Sequence, residues 1–163
     1  MKNLILIVCI LLSGIVVSQD ISFSNSTTQN IICSNGEYFQ NGLLFTGKYV
    51  TYFQNGNIKE ELLIENGKLS GAFIKKYENG QNMEIGNYEN NLKFGLWTRY
   101  NFNGKLVAQA SYLNDKKDGN WFVYNESGTK IFEMIYKEGL KVGVWHQWDD
   151  NGNLIKTTDY NSL

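Results

Sequence analysis

The chain has 163 residues, with 15 lysine and arginine side chains against 16 aspartate and glutamate side chains, and a net charge of −1 at pH 7. This near balance, without a basic cluster, argues against nucleic acid as a partner. Aromatic residues make up 14% of the chain, which has 16 glycines and no proline. Such a composition favours strands joined by tight turns.

The first 18 residues have the pattern of a secretory signal peptide. Lys2 precedes an apolar run, residues 4–12, and small residues lead up to Ser18. An uncleaved anchor is the alternative, but a membrane-spanning helix needs about 20 apolar residues and this run is shorter. We therefore expect cleavage after Ser18 and export, either to a periplasm or to the medium.

A short polar segment and a partial unit follow the predicted cleavage site. Residues 19–30 are rich in Ser, Thr, Asn and Gln and lack apolar periodicity, which predicts a flexible linker. Residues 31–46 are predicted to form a partial capping repeat. Cys33 is the one cysteine after the predicted cleavage site, so stability must come from packing and hydrogen bonds rather than an intrachain disulfide.

A 24-residue period governs the rest of the chain. Two glycine columns keep this spacing through five units: Gly47, Gly71, Gly95, Gly119 and Gly143, and then Gly56, Gly80, Gly104, Gly128 and Gly152. An exact period over five units indicates a stacked repeat array. We predict five hairpin repeats over residues 47–163 that form an all-β, elongated antiparallel meander in one sheet.

Two kinds of turn divide each unit into two strands. The second glycine follows Asn in four units and Ser in one, and Asn-Gly is typical of a two-residue type I′ turn. The other junction carries Asn66-Gly67, Asn90-Asn91, Asn114-Asp115 or Glu138-Gly139. These residues tolerate a left-handed backbone, so a second tight turn is expected there.

A two-residue turn fixes the register of each hairpin. Counting outward from the turn sets Gly119 against Tyr136 and Trp121 against Met134. The same count sets Tyr124 against Ile131. A large ring over a glycine shields its backbone. We therefore expect that glycine occupies the first column because the tyrosine ring on the paired strand covers it.

Alternation along the strands puts apolar residues on both faces of the sheet. Either the meander curls so that one apolar face is buried, which is favoured because aromatic residues at repeat spacing are usually core, or one face is a contact surface. The face of Trp97, Trp121 and Trp145 is the one expected to hold the fold. The other face carries four aromatic residues, here called the stripe, which Lys76 interrupts in the second unit. The stripe consists of Tyr52, Tyr100, Tyr124 and Trp148, and it is the candidate partner surface.

The aromatic and glycine spacing resembles the bacterial variant of the MORN repeat. Three segments carry it most clearly, GLWTRYNFNG, GNWFVYNESG and GVWHQWDDNG, with looser copies in GKYVTYFQNG and GAFIKKYENG. The resemblance covers residues 45–163. It implies hairpins stacked into one sheet and a module that binds proteins or membranes. Some members are assigned to toxin–antitoxin pairs, a role that does not suit an exported protein.

Two further binding functions stay open. Carbohydrate- and choline-binding repeats also combine Gly, Trp and Tyr, although their units are shorter and their aromatic residues adjacent. A peripheral membrane binder is the other alternative. The sequence thus favours an exported protein-binding or scaffolding module, with a glycan or a membrane lipid as the alternative ligand.

Equivalent positions of the five repeats can be compared to look for catalytic residues, since a catalytic residue should differ from the other residues in its column. His146 shares its column with Val50, Ile74, Thr98 and Phe122, and Arg99 shares its column with similarly varied residues. No metal-ligand spacing or phosphate-binding loop is present. We therefore predict no catalytic, cofactor or metal site and no enzymatic activity.

Overall fold

The structure, a computed structural model, describes residues 30–161. The predicted signal peptide (1–18) and residues 19–29 of the predicted linker lie outside the described residues. The described part of the chain is entirely β-strands and turns, without a helix. Accordingly, residues 30–161 include no helical segment with the length and hydrophobicity needed to cross a bilayer.

Within residues 30–161, thirteen strands form two antiparallel sheets. The small sheet has the order β1-β2-β3 and contains β1 (Ile31–Ser34), β2 (Glu37–Gln40) and β3 (Leu43–Leu44). The large sheet has ten strands, from β4 to β13, and each pairs with its neighbours in the sequence. These are β4 (Gly47–Tyr52), β5 (Ile58–Glu65), β6 (Lys68–Lys76), β7 (Asn82–Glu89), β8 (Leu92–Tyr100), β9 (Leu106–Leu113), β10 (Lys116–Tyr124), β11 (Lys130–Lys137), β12 (Leu140–Trp148) and β13 (Leu154–Asp159).

The predicted all-β antiparallel meander is confirmed. Every pairing in the large sheet joins consecutive strands, and the end strands β4 and β13 do not pair with each other. The change from the small sheet to the large one falls between β3 and β4, next to the predicted boundary after residue 46. The division of the chain into a cap and five repeats stays a prediction.

Tight turns with a left-handed backbone join the two-strand units along one edge of the large sheet. Both residues of each turn have positive φ, as in Asn66-Gly67 with values of 48° and 78° and Asn114-Asp115 with 51° and 64°. These are the values of type I′ turns. The turns predicted at this edge are therefore confirmed.

The turns at the opposite edge differ from the prediction. At Asn151-Gly152 only Gly152 has positive φ. The Gly152 N–H donates to the Asp149 carbonyl at 3.0 Å, and the Asp149 N–H donates to the Asn153 carbonyl at 2.9 Å. This is a type I turn followed by a left-handed glycine, a three-residue loop rather than a two-residue one.

The type I geometry has a local cause. The Asp149 carboxylate accepts the Asn151 N–H at 3.0 Å, and the Asn125 side chain likewise accepts the Ser127 N–H at 3.0 Å. An Asp or Asn at the first turn position with a glycine three residues later is the signature of a type I turn.

In the hairpin of β10 and β11, a bulge beside the equivalent loop restores the predicted register. Tyr124 pairs with Lys130, so the predicted pairing with Ile131 is wrong. One step further Val123 pairs with Phe132, which leaves Ile131 as an extra residue on β11. The extra loop residue and the extra strand residue offset each other. The predicted pairs Gly119–Tyr136 and Trp121–Met134 are therefore confirmed.

The predicted reason for the first glycine column is wrong. Gly119 pairs with Tyr136, but a Cβ at Gly119 would contact the Ser111 side chain, with its Cβ 3.2 Å away, rather than the tyrosine ring. Gly119 has a φ of +98°, a conformation that side chains of L-residues rarely adopt. The register against β9 also shifts between Lys117 and Trp121. Glycine is thus needed because the strand bends at this point.

Eight aromatic rings form a continuous ladder across one face of the large sheet. Consecutive ring centroids lie between 4.6 Å apart, for Trp145–Tyr160, and 6.2 Å apart, for Trp97–Tyr112. The ladder consists of Phe73, Tyr88, Trp97, Tyr112, Trp121, Tyr136, Trp145 and Tyr160. Trp97 is only 2% exposed, and it centres a buried cluster with Phe45, Leu62, Ile64 and Phe73. The ladder face holds the fold, as predicted.

A third repeat column, at positions 45, 69, 93, 117 and 141, packs over the ladder rings. Its first two members, Phe45 and Leu69, pack into the buried cluster. Its last three are lysines whose ammonium groups lie over tryptophan rings: Lys93 is 3.7 Å from the Trp97 centroid, Lys117 is 4.1 Å from that of Trp121 and Lys141 is 4.9 Å from that of Trp145. Their stems shield the rings while their charges reach water.

Hydrogen bonds between turns tie each unit to the preceding one. The Asn91 N–H donates to the Leu69 carbonyl at 2.9 Å, and the Gly139 N–H donates to the Lys117 carbonyl at 2.8 Å. The small sheet joins the array in the same way, because the Gly67 N–H donates to the Phe45 carbonyl at 2.8 Å. Hydrogen bonds therefore join neighbouring units at the type I′ turns as well as between the strands.

Candidate partner-binding surface

The stripe lies on the face opposite the ladder. Cross-strand partners share a face and alternate residues along a strand return to it. Tyr124 pairs with Lys130, and Trp121 of the ladder is three positions from Tyr124, so the two rings lie on opposite faces. Tyr52 is 62% exposed, and the remaining three stripe residues are half-buried by neighbours on the same face.

The stripe residues occupy alternate strands and do not form one continuous row. They stand on β4, β8, β10 and β12, with an intervening strand between successive units. Two strand spacings put neighbouring positions about 9–10 Å apart. Lys76 occupies the equivalent position on β6, which separates Tyr52 from Tyr100. The C-terminal half of the stripe, from Tyr100 to Trp148, is therefore its uninterrupted part.

Hydrogen bonds hold the Tyr124 ring and the Tyr100 backbone of the uninterrupted part. The Tyr124 hydroxyl donates to the Gln109 side-chain oxygen at 3.2 Å, and the Tyr77 hydroxyl donates to the Tyr100 carbonyl at 3.0 Å. Asp149 follows Trp148 in the adjoining loop. Hydrogen bonds from Asn153, Asn151 and Gly152 lower the pKa of the Asp149 carboxyl below its ordinary value, so the loop keeps an ionised side chain at neutral pH.

A lysine stands among aromatic rings beside the last two stripe residues. The Lys130 ammonium lies 4.7 Å from the Trp148 ring centroid and 5.5 Å from that of Phe122, and it forms an ion pair with Glu133. His146 stacks on Trp148, with centroids 5.5 Å apart and an interplanar angle of 27°. We call Lys130, Phe122, Glu133 and Trp148 the ammonium cluster.

Sequence reasoning missed the ammonium cluster, although one signal was present. Lys130 shares its repeat column with Ile58, Asn82, Leu106 and Leu154, so it is the one cation in that column. The structure brings it together with Trp148 because β11 lies between β10 and β12. His146, assigned to a tolerant strand position, lies at the side of this cluster.

The stripe face presents groups that can bind a ligand. Within residues 30–161 no set of three or more His, Cys, Asp or Glu side chains is placed to hold a metal ion. The stripe face instead presents aromatic rings, exposed leucines and the charged pair of the ammonium cluster. Such a surface can recognise a ligand by apolar and cation–π contacts.

The repeat geometry agrees with a comparison against known protein families. Residues 45–66, 95–114 and 117–138 match the MORN repeat variant. These three segments are similar to the MORN repeat variant. Each spans one glycine of the first column and ends at a type I′ turn. A search of curated proteins found no match.

The matched segments 95–114 and 117–138 contain Tyr100 and Tyr124 of the stripe. Residues 71–90 and 143–160 build the same hairpin in the structure, with the same paired strands. A repeat array built this way presents the same positions every 24 residues. Residues that differ within a column, such as Lys130, distinguish one unit from another.

Proposed function

We propose that this MORN repeat protein is a non-enzymatic binding module that holds a protein partner along the uninterrupted part of the stripe. Tyr100, Tyr124 and Trp148 supply the contacts. The ladder face stabilises the array and keeps these rings at a fixed spacing. The proposal concerns the C-terminal units, because Lys76 interrupts the stripe before them.

The main support for this proposal is that the buried core and the stripe lie on different faces of the large sheet. The buried apolar residues all lie on the ladder face or in its cluster: Phe45, Leu62, Ile64, Phe73, Trp97, Ala110 and Tyr136. No stripe residue is among them. Aromatic residues left on an open face contribute most of the binding energy in many protein interfaces.

The surroundings of the stripe favour a protein over a glycan. Leu96, which is 51% exposed, lies on the stripe face of β8 beside the uninterrupted part. Leu63, which is 41% exposed, lies on the same face of β5, before the Lys76 interruption. Aliphatic side chains next to aromatic ones form the apolar centre of a protein interface, whereas sugars stack mainly on rings. A partner that spans several units would cover both kinds of side chain.

The double variant Tyr124→Ser, Trp148→Ser should lose the partner while it keeps the fold. Both side chains are absent from the core, so the thermal midpoint should fall only slightly. Removal of two aromatic anchors should weaken binding by at least tenfold, because each such anchor contributes about 1–2 kcal/mol or more. Capture of native partners by the immobilised protein, followed by mass spectrometry, measures the loss.

Tyr52→Ser is the matched control, since Tyr52 belongs to the stripe but lies beyond Lys76. This variant should capture the same partner as the parent. If the double variant unfolds, the stripe belongs to the core and the two faces are assigned in the wrong order. A glycan array and anionic lipid vesicles form parallel arms, and binding there instead of to protein would replace a protein partner by that ligand.

We also propose that the protein is exported and loses residues 1–18. The support is the charged start, the apolar run and the small residues before Ser18. Protein recovered from the producing cells and their medium should begin near Gln19 by N-terminal sequencing. An intact Met1 in the membrane fraction would contradict export.

A further inference from the structure

We propose that the ammonium cluster is a recognition site for a lysine side chain of the partner, and that Lys130 occupies it in the free protein. The inference rests on the proposed protein-binding function and names the chemistry recognised at the C-terminal end of the stripe. On binding, the partner's ammonium group replaces that of Lys130 between the two rings.

The geometry of the cluster is that of an ammonium site. Phe122 on β10 and Trp148 on β12 stand on either side of β11, which carries both Lys130 and Glu133. The Lys130 ammonium lies within cation–π distance of both rings and is paired with the Glu133 carboxylate. Two ring faces and one carboxylate together satisfy a primary ammonium group.

The cluster is not a repeat feature, unlike the lysines on the ladder. Lys93, Lys117 and Lys141 form one column at a period of 24 residues and belong to the architecture of the array. Lys130 is the one charged residue in a column whose other members are Ile58, Asn82, Leu106 and Leu154. A residue that departs from its column is where function rather than architecture is expected.

The internal lysine is held weakly enough to be displaced. The side chains of Lys130 and Glu133 are 37% and 34% exposed, so their attraction is partly screened by water. Exchange of one ammonium group for another keeps both ring contacts and the ion pair. A primary ammonium is favoured over a quaternary one because it also donates a hydrogen bond to Glu133, as Lys130 does.

Removal of Lys130 should uncover the site. In Lys130→Ala, Nα-acetyl-lysine methylamide should bind and shift the Trp148 indole signal in a ¹⁵N NMR titration. The parent protein should bind the same probe about tenfold more weakly, because its own lysine competes. Choline should bind Lys130→Ala more weakly than the lysine probe, since it cannot donate to Glu133.

Two further variants test the roles of the carboxylate and of the position. Lys130→Ala combined with Glu133→Gln should lose most of the affinity for the probe. Lys117→Ala also removes a lysine from above a tryptophan but should not allow the probe to shift the Trp148 signal. A shifted thermal midpoint would identify any variant that is no longer folded.

The outcomes separate this inference from the proposed function. If folded Lys130→Ala leaves the Trp148 signal unchanged at tens of millimolar probe, the ammonium site is disproved. Choline binding as tight as that of the lysine probe would disprove lysine as the partner group. In either case the loss of partner capture in Tyr124→Ser, Trp148→Ser would still support protein binding at the stripe.

Discussion

Tyr136→Ala should lower the free energy of unfolding by about 3–5 kcal/mol, the usual cost of truncating a large buried ring. Tyr136 is 8% exposed and lies in the middle of the ladder. Its ring centroid is 5.4 Å from that of Trp121 and 5.0 Å from that of Trp145. Its loss would leave a gap between two tryptophans that cannot close without moving two units.

Chemical denaturation followed by tryptophan fluorescence measures this loss. Tyr52→Ala is the matched control, because the same truncation at a 62% exposed position should change stability by only about 0.5 kcal/mol. Equal losses in the two variants would show that the ladder is not the core. The slope of the transition should stay the same if the denatured states are alike.

Gly86→Val should cost about 1–3 kcal/mol because the core at Trp97 has no room for a side chain. A Cβ at Gly86 would lie 2.2 Å from Trp97 Cδ2 and 2.3 Å from Cε2. Trp97 is the most buried residue of the cluster, and its indole N–H donates to the Asn87 carbonyl at 3.2 Å. The indole would have to move and weaken that bond.

The comparison for this variant is Asn87→Val, on the next residue of the same strand. Asn87 is exposed on the opposite face, so valine there should be close to neutral. A melting experiment on both variants is sufficient. Retention of the parent's thermal midpoint by Gly86→Val would mean that the Trp97 ring does not lie over Gly86.

The architecture could be predicted from the sequence because the same pattern recurs in five units, so that each unit supports the interpretation of the others. Five copies of two glycine columns identify the turns, and alternation between the turns identifies the faces. The register of Gly119 with Tyr136 was predicted correctly even though the turn type was wrong. The extra loop residue and the bulge at Ile131 cancel, and the rest of the hairpin keeps its pairing.

The turn type was missed because Asn-Gly suits two conformations. Asn can take positive φ in a type I′ turn, or it can precede a left-handed glycine at the end of a type I turn. In the last three units Asn101, Asn125 and Asp149 lie two positions before Asn or Ser, and their side chains accept a turn N–H and stabilise type I. The first two units form the same turn with Phe53 and Tyr77 at that position.

The ammonium cluster was harder to predict because it needs three adjacent strands. The distance from Lys130 to Trp148 depends on the bulge at Ile131, which moves Lys130 opposite Tyr124. The lysine column over the ladder was more accessible, since Lys93, Lys117 and Lys141 keep the 24-residue period.

Hydroxyl-radical footprinting of the protein, free and bound to its captured partner, tests the separation of the two faces most directly. In the free protein Tyr52 should be oxidised quickly, Tyr124 and Trp148 at intermediate rates, and Trp97 and Tyr136 least. On binding, Tyr124 and Trp148 should become protected while Trp97 and Tyr136 stay unchanged. Rapid oxidation of Trp97 in the free protein, or protection confined to the ladder on binding, would contradict the account.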